Sequence, residues 1–185
     1  MKQFFALFCL VFLLAGCAGG GEEMDRAMAL RSRILSSAIQ FDAEITADYG
    51  DEIYQFSMAC ETDVSGKLTF TVTSPETISG ISGEISSAGA SMHFEDEALS
   101  FPVLAQGQIT PVSAPWVLIH SLRSGYLTSC GKEGGVLRLS IDDSYADDAL
   151  HLDIWLDASD MPARGEILWE GRRILSVVLK NVRFV

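Results

Sequence analysis

Two hydrophobic periods share this chain. Over residues 22–37, Met24, Ala27, Met28, Ile34 and Leu35 recur at helical spacing, and Glu22, Glu23 and Asp25 stand at the N-terminal end, where a helix dipole favours carboxylates. This predicts one amphipathic helix whose apolar face must be covered. From Phe41 to Tyr49 the period shortens to two: every second residue is apolar and the others are acidic or Thr, the mark of a half-buried strand. Gly50-Asp51 turns the chain back into Tyr54, Phe56, Met58 and Cys60 at alternate positions. A second turn at 62–66 leads to Leu68, Phe70 and Val72 interleaved with threonines. The first half therefore reads as an antiparallel meander with one wet face.

Pro75 ends that run. Weaker strands are predicted at 78–85 and 91–95, and the stretch 97–111 follows neither period, which makes it a loop. Ser113-Ala114-Pro115 is a helix-start signal and Gly125 a stop; between them Trp116, Ile119 and Leu122 share a face, giving a second helix of about three turns. Strands at 126–130, 136–141, 150–156, 163–170 and 173–184 complete the chain, joined by short turns. In the third of these Leu150, Leu152, Ile154 and Leu156 face one way and His151, Asp153, Trp155 and Asp157 the other. Roughly ten strands and two or more helices define a mainly β chain of the α+β class: one curved antiparallel sheet, or unclosed barrel, with helices packed on its apolar side.

The N-terminus obeys a different logic. Lys2 precedes an almost unbroken apolar run from Phe4 to Ala15, and small residues lead into a cysteine in Leu14-Ala15-Gly16-Cys17. This is the layout of a secretory signal. About a dozen apolar residues are too few to cross a hydrocarbon core, which needs ~20. Where an ordinary signal ends in a small-residue cleavage site, this one resembles the bacterial lipobox, whose cysteine is acylated and becomes the first residue. The expected organisation is a signal peptide at 1–16, a flexible tether at 17–22 and a single domain at 23–185, lipid-anchored on the extracytoplasmic face of the membrane.

Charge narrows the partners. The chain carries 13 Lys and Arg against 25 Asp and Glu, a net charge of −12 that becomes −13 once Lys2 leaves with the leader. Such a surface is repelled by phosphate backbones and anionic headgroups, so no nucleic-acid partner is expected and anchoring falls to the lipid. Cys9 departs with the leader and Cys17 is taken by acylation. Cys60 and Cys130 are left as either a disulfide or two separate buried thiols.

Local chemistry is sparse. His93, His120 and His151 stand alone, without zinc-site spacing. Ser79-Gly80-Ile81-Ser82-Gly83 is a turn and not a nucleophile elbow. The run Asp142-Asp143-Ser144-Tyr145-Ala146-Asp147-Asp148 offers oxygen ligands, yet it lacks the spacing and glycine of an EF-hand loop and joins two strands, so a solvated hairpin is the better reading. No metal, cofactor or catalytic residue is expected, and the chain reads as a non-enzyme.

A lipobox, a helix, a meander, a mid-chain helix and a second meander together resemble the LolA/LolB-like lipoprotein superfamily. The strings that carry the likeness are Ser113-Ala114-Pro115-Trp116-Val117-Leu118, Ile141-Asp142-Asp143-Ser144-Tyr145 and Trp169-Glu170-Gly171-Arg172-Arg173-Ile174-Leu175. More closely, the chain is similar to small lipoproteins of Gram-positive bacteria, which include spore-germination lipoproteins of the GerS type. The resemblance implies a palmitate-type acyl anchor and a half β-barrel with a helical lid. In carrier members the concavity takes acyl chains in transit between membranes.

Two roles follow. The first is a non-catalytic partner-binding or scaffold module with a filled interior, acting in spore germination or envelope biogenesis. The alternative is a module that binds an acyl chain or another apolar ligand. The candidate lining of such a cavity is Trp116, Ile119 and Leu122 on the second helix, facing Phe56, Phe70, Leu152 and Ile154 on strands; plain core packing explains the same residues.

Overall fold

A computed structural model describes residues 21–93, 105–107 and 109–185. The leader, Cys17, most of the tether and residues 94–104 of the expected strand and loop lie outside them. Helix α1 (Gly21–Ser36) is followed by strands β1 (Ile39–Asp48), β2 (Ile53–Thr62), β3 (Leu68–Ser74), β4 (Ser82–Ser86) and β5 (Gly89–His93). Helix α2 (Ala114–Ser124) then precedes β6 (Tyr126–Glu133), β7 (Val136–Asp142), β8 (His151–Leu156), β9 (Pro162–Trp169) and β10 (Arg172–Phe184). All ten strands form one antiparallel sheet in the order β5-β4-β3-β2-β1-β10-β9-β8-β7-β6. Every neighbouring pair but one is a sequence-adjacent hairpin. The exception is β1 with β10, which joins the two halves through pairs such as Ala43 with Leu179 and Ile45 with Val177. The sheet is curved and unclosed, with β5 and β6 at its ends.

Period-two patterning produces this layer directly. Ile39, Phe41, Ala43, Ile45 and Ala47 of β1 are buried, as are Leu68, Phe70 and Val72 of β3 and Leu152, Ile154 and Leu156 of β8. Their side chains form the concave face, which α2 crosses over β7 to β10 while α1 packs against α2 and β6. The weak strand expected at 78–85 is shorter. A 3₁₀ turn occupies Glu76–Ile78, and Gly80, at φ +92°, reverses the chain so that its N–H reaches Val72 O at 2.9 Å before β4 begins.

The helices meet the sheet on faces that differ from their sequence pattern. α1 buries Ala27, Leu30 and Ile34, whereas Met24, Met28 and Leu35 remain exposed. Polar anchors on its flanks set its rotation: Arg26 Nε donates to Asp160 Oδ1 at 2.9 Å, Lys132 Nζ lies 3.3 Å from Glu23 Oε1, and Arg31 reaches the carbonyls of Leu122 at 2.7 Å and Gly125 at 2.9 Å. In return Arg123 of α2 donates to Ile34 O at 2.8 Å. Each helix thus supplies an arginine to the last carbonyls of the other, where orphan acceptors and the dipole both favour a cation. Helix α2 buries Pro115, Leu118, Ile119 and Leu122, and Trp116 sits at the edge of that face.

Candidate functional site

The concave face holds most of the residues that a ligand cavity would need, and it buries them. Ile119, Leu122, Phe56, Phe70, Leu152 and Ile154 are all buried within one hydrophobic cluster that spans the sheet and both helices. Trp116 packs against this cluster from its edge. It is half-buried at the rim, its indole N–H donates to Gly66 O in the β2–β3 turn at 3.0 Å, and its ring stacks on His120 with centroids 4.6 Å apart. Burial and the neighbouring Arg123 hold the His120 imidazole below its ordinary pKa.

Cys60 and Cys130 are free thiols. Of the two readings open for them, the structure has the unpaired one. Cys60 lies on β2 and Cys130 on β6, with β1, β10, β9, β8 and β7 between their strands in the sheet. Cys60 is buried in the core, where desolvation pushes its thiol far up, and Cys130 is half-buried. Cys17 lies outside the described residues.

An apolar hollow sits at the rim. Tyr49, Tyr54, Phe56, Pro75, Ile78 and Pro111 line a cavity of about 380 Å³ where the β1–β2 hairpin approaches the 3₁₀ turns at Glu76–Ile78 and Pro111–Ser113. Tyr49 and Tyr54 meet edge to face at 5.4 Å, and burial raises the Tyr49 phenol above its ordinary pKa. Of the lining expected from sequence, only Phe56 reaches this hollow. The signal for the others was faint: two tyrosines flank the Gly50-Asp51 turn, and two prolines arrive from distant segments.

The outer face of the sheet carries a polar network that local sequence does not display. Register places Arg138, Trp155 and Arg164 in one row across β7, β8 and β9, and Ser140, Asp153 and Glu166 in the next. Asp153 is only 6% exposed. It accepts a forked pair from Arg138, Nε to Oδ1 at 3.0 Å and Nη2 to Oδ2 at 2.6 Å, and a third bond from Ser140 Oγ at 2.7 Å. Burial opposes its ionisation, but the bonds from Arg138 and Ser140 outweigh that and hold its carboxyl below the usual range. The Trp155 ring lies between the Arg138 and Arg164 guanidiniums, 5.5 and 4.4 Å from its centroid, and its indole N–H donates to Glu133 at 2.9 Å. His151 Nδ1 lies 2.7 Å from Asp142 and its Nε2 3.6 Å from Asp153. The Ser140 hydroxyl is given to Asp153 and not to His151, so these residues do not form a nucleophile–base pair.

The acidic run spends its first carboxylates on its own turn. Asp142 meets His151, and Asp143 Oδ1 accepts the Leu150 N–H at 2.9 Å. Tyr145, 83% exposed, lies against Tyr126 with ring centroids 3.6 Å apart and planes tilted by 36°. Among the described residues no group of three or more His, Cys, Asp or Glu is placed to hold a metal, and no helix is long and apolar enough to cross a membrane.

No family model and no curated protein matches the chain. Solved structures similar to it include a LolA superfamily protein from Nitrosomonas europaea, 10% identical over 86% of this chain and 93% of that one, with a TM-score of 0.46. A putative outer membrane lipoprotein-sorting protein domain from Vibrio parahaemolyticus is 12% identical over 88% and 92%, at 0.47. The lipoprotein LppX of Mycobacterium tuberculosis is 15% identical over 86% and 91%, at 0.39.

Proposed function

We propose that the protein is an exported lipoprotein, acylated on Cys17, whose half-barrel serves as a non-catalytic partner-binding module on the extracytoplasmic face of the membrane. The supporting observation is the burial of the concave face: Ile119, Leu122, Phe70, Leu152 and Ile154 all belong to one buried cluster across the sheet and lid, which directs recognition to the outer surface and rim. The acyl anchor is read from Leu14-Ala15-Gly16-Cys17. Spore germination and envelope biogenesis are the processes to which the resemblance directs this role.

The rim hollow favours a second reading, binding of a single acyl chain or similar apolar ligand between Tyr49, Tyr54 and Phe56. Thermal melts of the unacylated domain with a long-chain fatty acid or lysolipid separate the two. A partner module melts at the same temperature with or without lipid. A ligand carrier gains about 2.7 kcal/mol at a hundredfold excess over Kd, and Phe56→Ala removes the gain. For the anchor, Cys17→Ala abolishes fatty-acid labelling and moves the protein out of the detergent phase; undiminished labelling in that variant refutes acylation there.

A further inference from the structure

Helix α1 buries one face and leaves a second apolar stripe in water. Met24, Met28 and Leu35 are 38%, 40% and 49% exposed. At about 100° per residue these positions fall within about 40° of one another, so they form one line along the helix. Arg31 shares that sector, but its guanidinium is committed to the carbonyls of Leu122, Ser121 and Gly125. Asp25 lies about 100° from Met24 and Glu22 further round, which leaves the stripe without a carboxylate of its own.

Chain length and charge identify what covers it. Helix α1 runs from Gly21, four residues after Cys17. Fully extended chain spans at most about 3.6 Å per residue, so an acylated Cys17 keeps the start of the helix within about 15 Å of the bilayer surface. The sixteen-residue helix is itself about 24 Å long, and its stripe begins within its first turn. The net charge, −13 once the leader is removed, disfavours attraction to anionic headgroups, whereas an uncharged stripe with two flexible methionines suits the boundary of a zwitterionic bilayer. The anchor holds the stripe at high effective concentration beside the surface, so a second, weak contact forms at little further cost in freedom.

We propose that α1 lies against the phospholipid surface in the acylated protein, with Met24, Met28 and Leu35 turned to the acyl-chain boundary. The inference rests on the acylation of Cys17 proposed above. It is tested on the full acylated chain in phosphatidylcholine vesicles, with the photo-crosslinker p-benzoylphenylalanine at position 28, and at position 145 as an exposed reference. The expected result is a lipid adduct at position 28 several times more abundant than at 145, reduced to the reference level when Met24→Asp and Leu35→Asp are added. Equal yields at the two positions in a chain with acylated Cys17 overturn the docking and leave the anchor standing. A crosslink at position 28 between two copies of the chain assigns the stripe to self-association and likewise overturns it. Absence of acyl label on Cys17 refutes the anchor and the docking together.

Discussion

Leu118 of α2 rests directly on Gly165 of β9: a Cβ built at Gly165 would stand 2.0 Å from Leu118 Cδ1 and 3.1 Å from its Cγ. The missing side chain lets the lid helix descend onto the sheet, and Leu118 is completely buried as a result. Gly165→Ala therefore forces Leu118 or the helix to move, at an expected ~1 to 3 kcal/mol. Leu118→Ala alone costs ~2 to 5 kcal/mol by opening a cavity at the same place. The double variant is expected to cost less than the sum, because the new methyl occupies part of that cavity. Urea denaturation of the three variants checks this, and strict additivity would show that the two residues do not share a contact.

The exchange of arginines between helix ends makes a second prediction. Arg31 caps three carbonyls of α2 and its immediate surroundings, and burial lowers its pKa below the usual arginine value. Arg31→Met keeps the aliphatic stem and removes the donors, leaving those acceptors short of partners for an expected loss of ~1 to 3 kcal/mol. Backbone amide exchange should quicken first near 121–125. Unchanged protection in that segment would mean that water replaces the guanidinium without cost.

Acid stability follows from the outer-face network. The Asp153 carboxyl is held below its ordinary pKa, so the folded state releases that proton more readily than the unfolded chain, whose value is about 3.9. Its contribution is full above about pH 4 and is lost as pH falls through the lower folded value. Glu166, opposed by burial but bonded by Arg164 and Arg173, shifts in the same direction. Asp153→Asn should lower the melting temperature at pH 7 by more than at pH 3. Equal losses at both pH values would show that the carboxylate charge is not what matters.

The thiols give a chemical test. Cys60 is buried with its pKa pushed up, and Cys130 is half-buried with a rise that burial also causes. Since thiolate is the reactive form, a maleimide should modify Cys130 in the native domain and reach Cys60 only on unfolding. Thiol counting on the denatured, unreduced domain should return both residues. A count of zero would mean that they pair.

Much of the architecture was legible in local sequence because a strand with one wet face must alternate. Phe41 to Tyr49, Phe56 to Cys60 and Leu150 to Leu156 announced their strands, Ser113-Ala114-Pro115 opened α2, and Gly125 closed it. The string Leu14-Ala15-Gly16-Cys17, on which the proposed acyl anchor rests, is likewise local. Other features depend on residues distant in sequence, and only the tertiary structure decided them. Periodicity marked Met24, Met28 and Leu35 as core candidates as plainly as Ala27 and Ile34, but helix rotation was set by Asp160, Lys132 and the end of α2. Trp116 shared a pattern with Ile119 and Leu122, yet the β2–β3 turn at Gly66 drew it to the rim. Asp153 looked like any outward carboxylate until strand register set Arg138 and Ser140 beside it. Whether Cys60 could meet Cys130 depended on strand order, which puts five strands between theirs. Alternation and capping are short-range and written in neighbouring residues; register, helix rotation and strand order are set by contacts between distant segments, and those exist only once the sheet has formed.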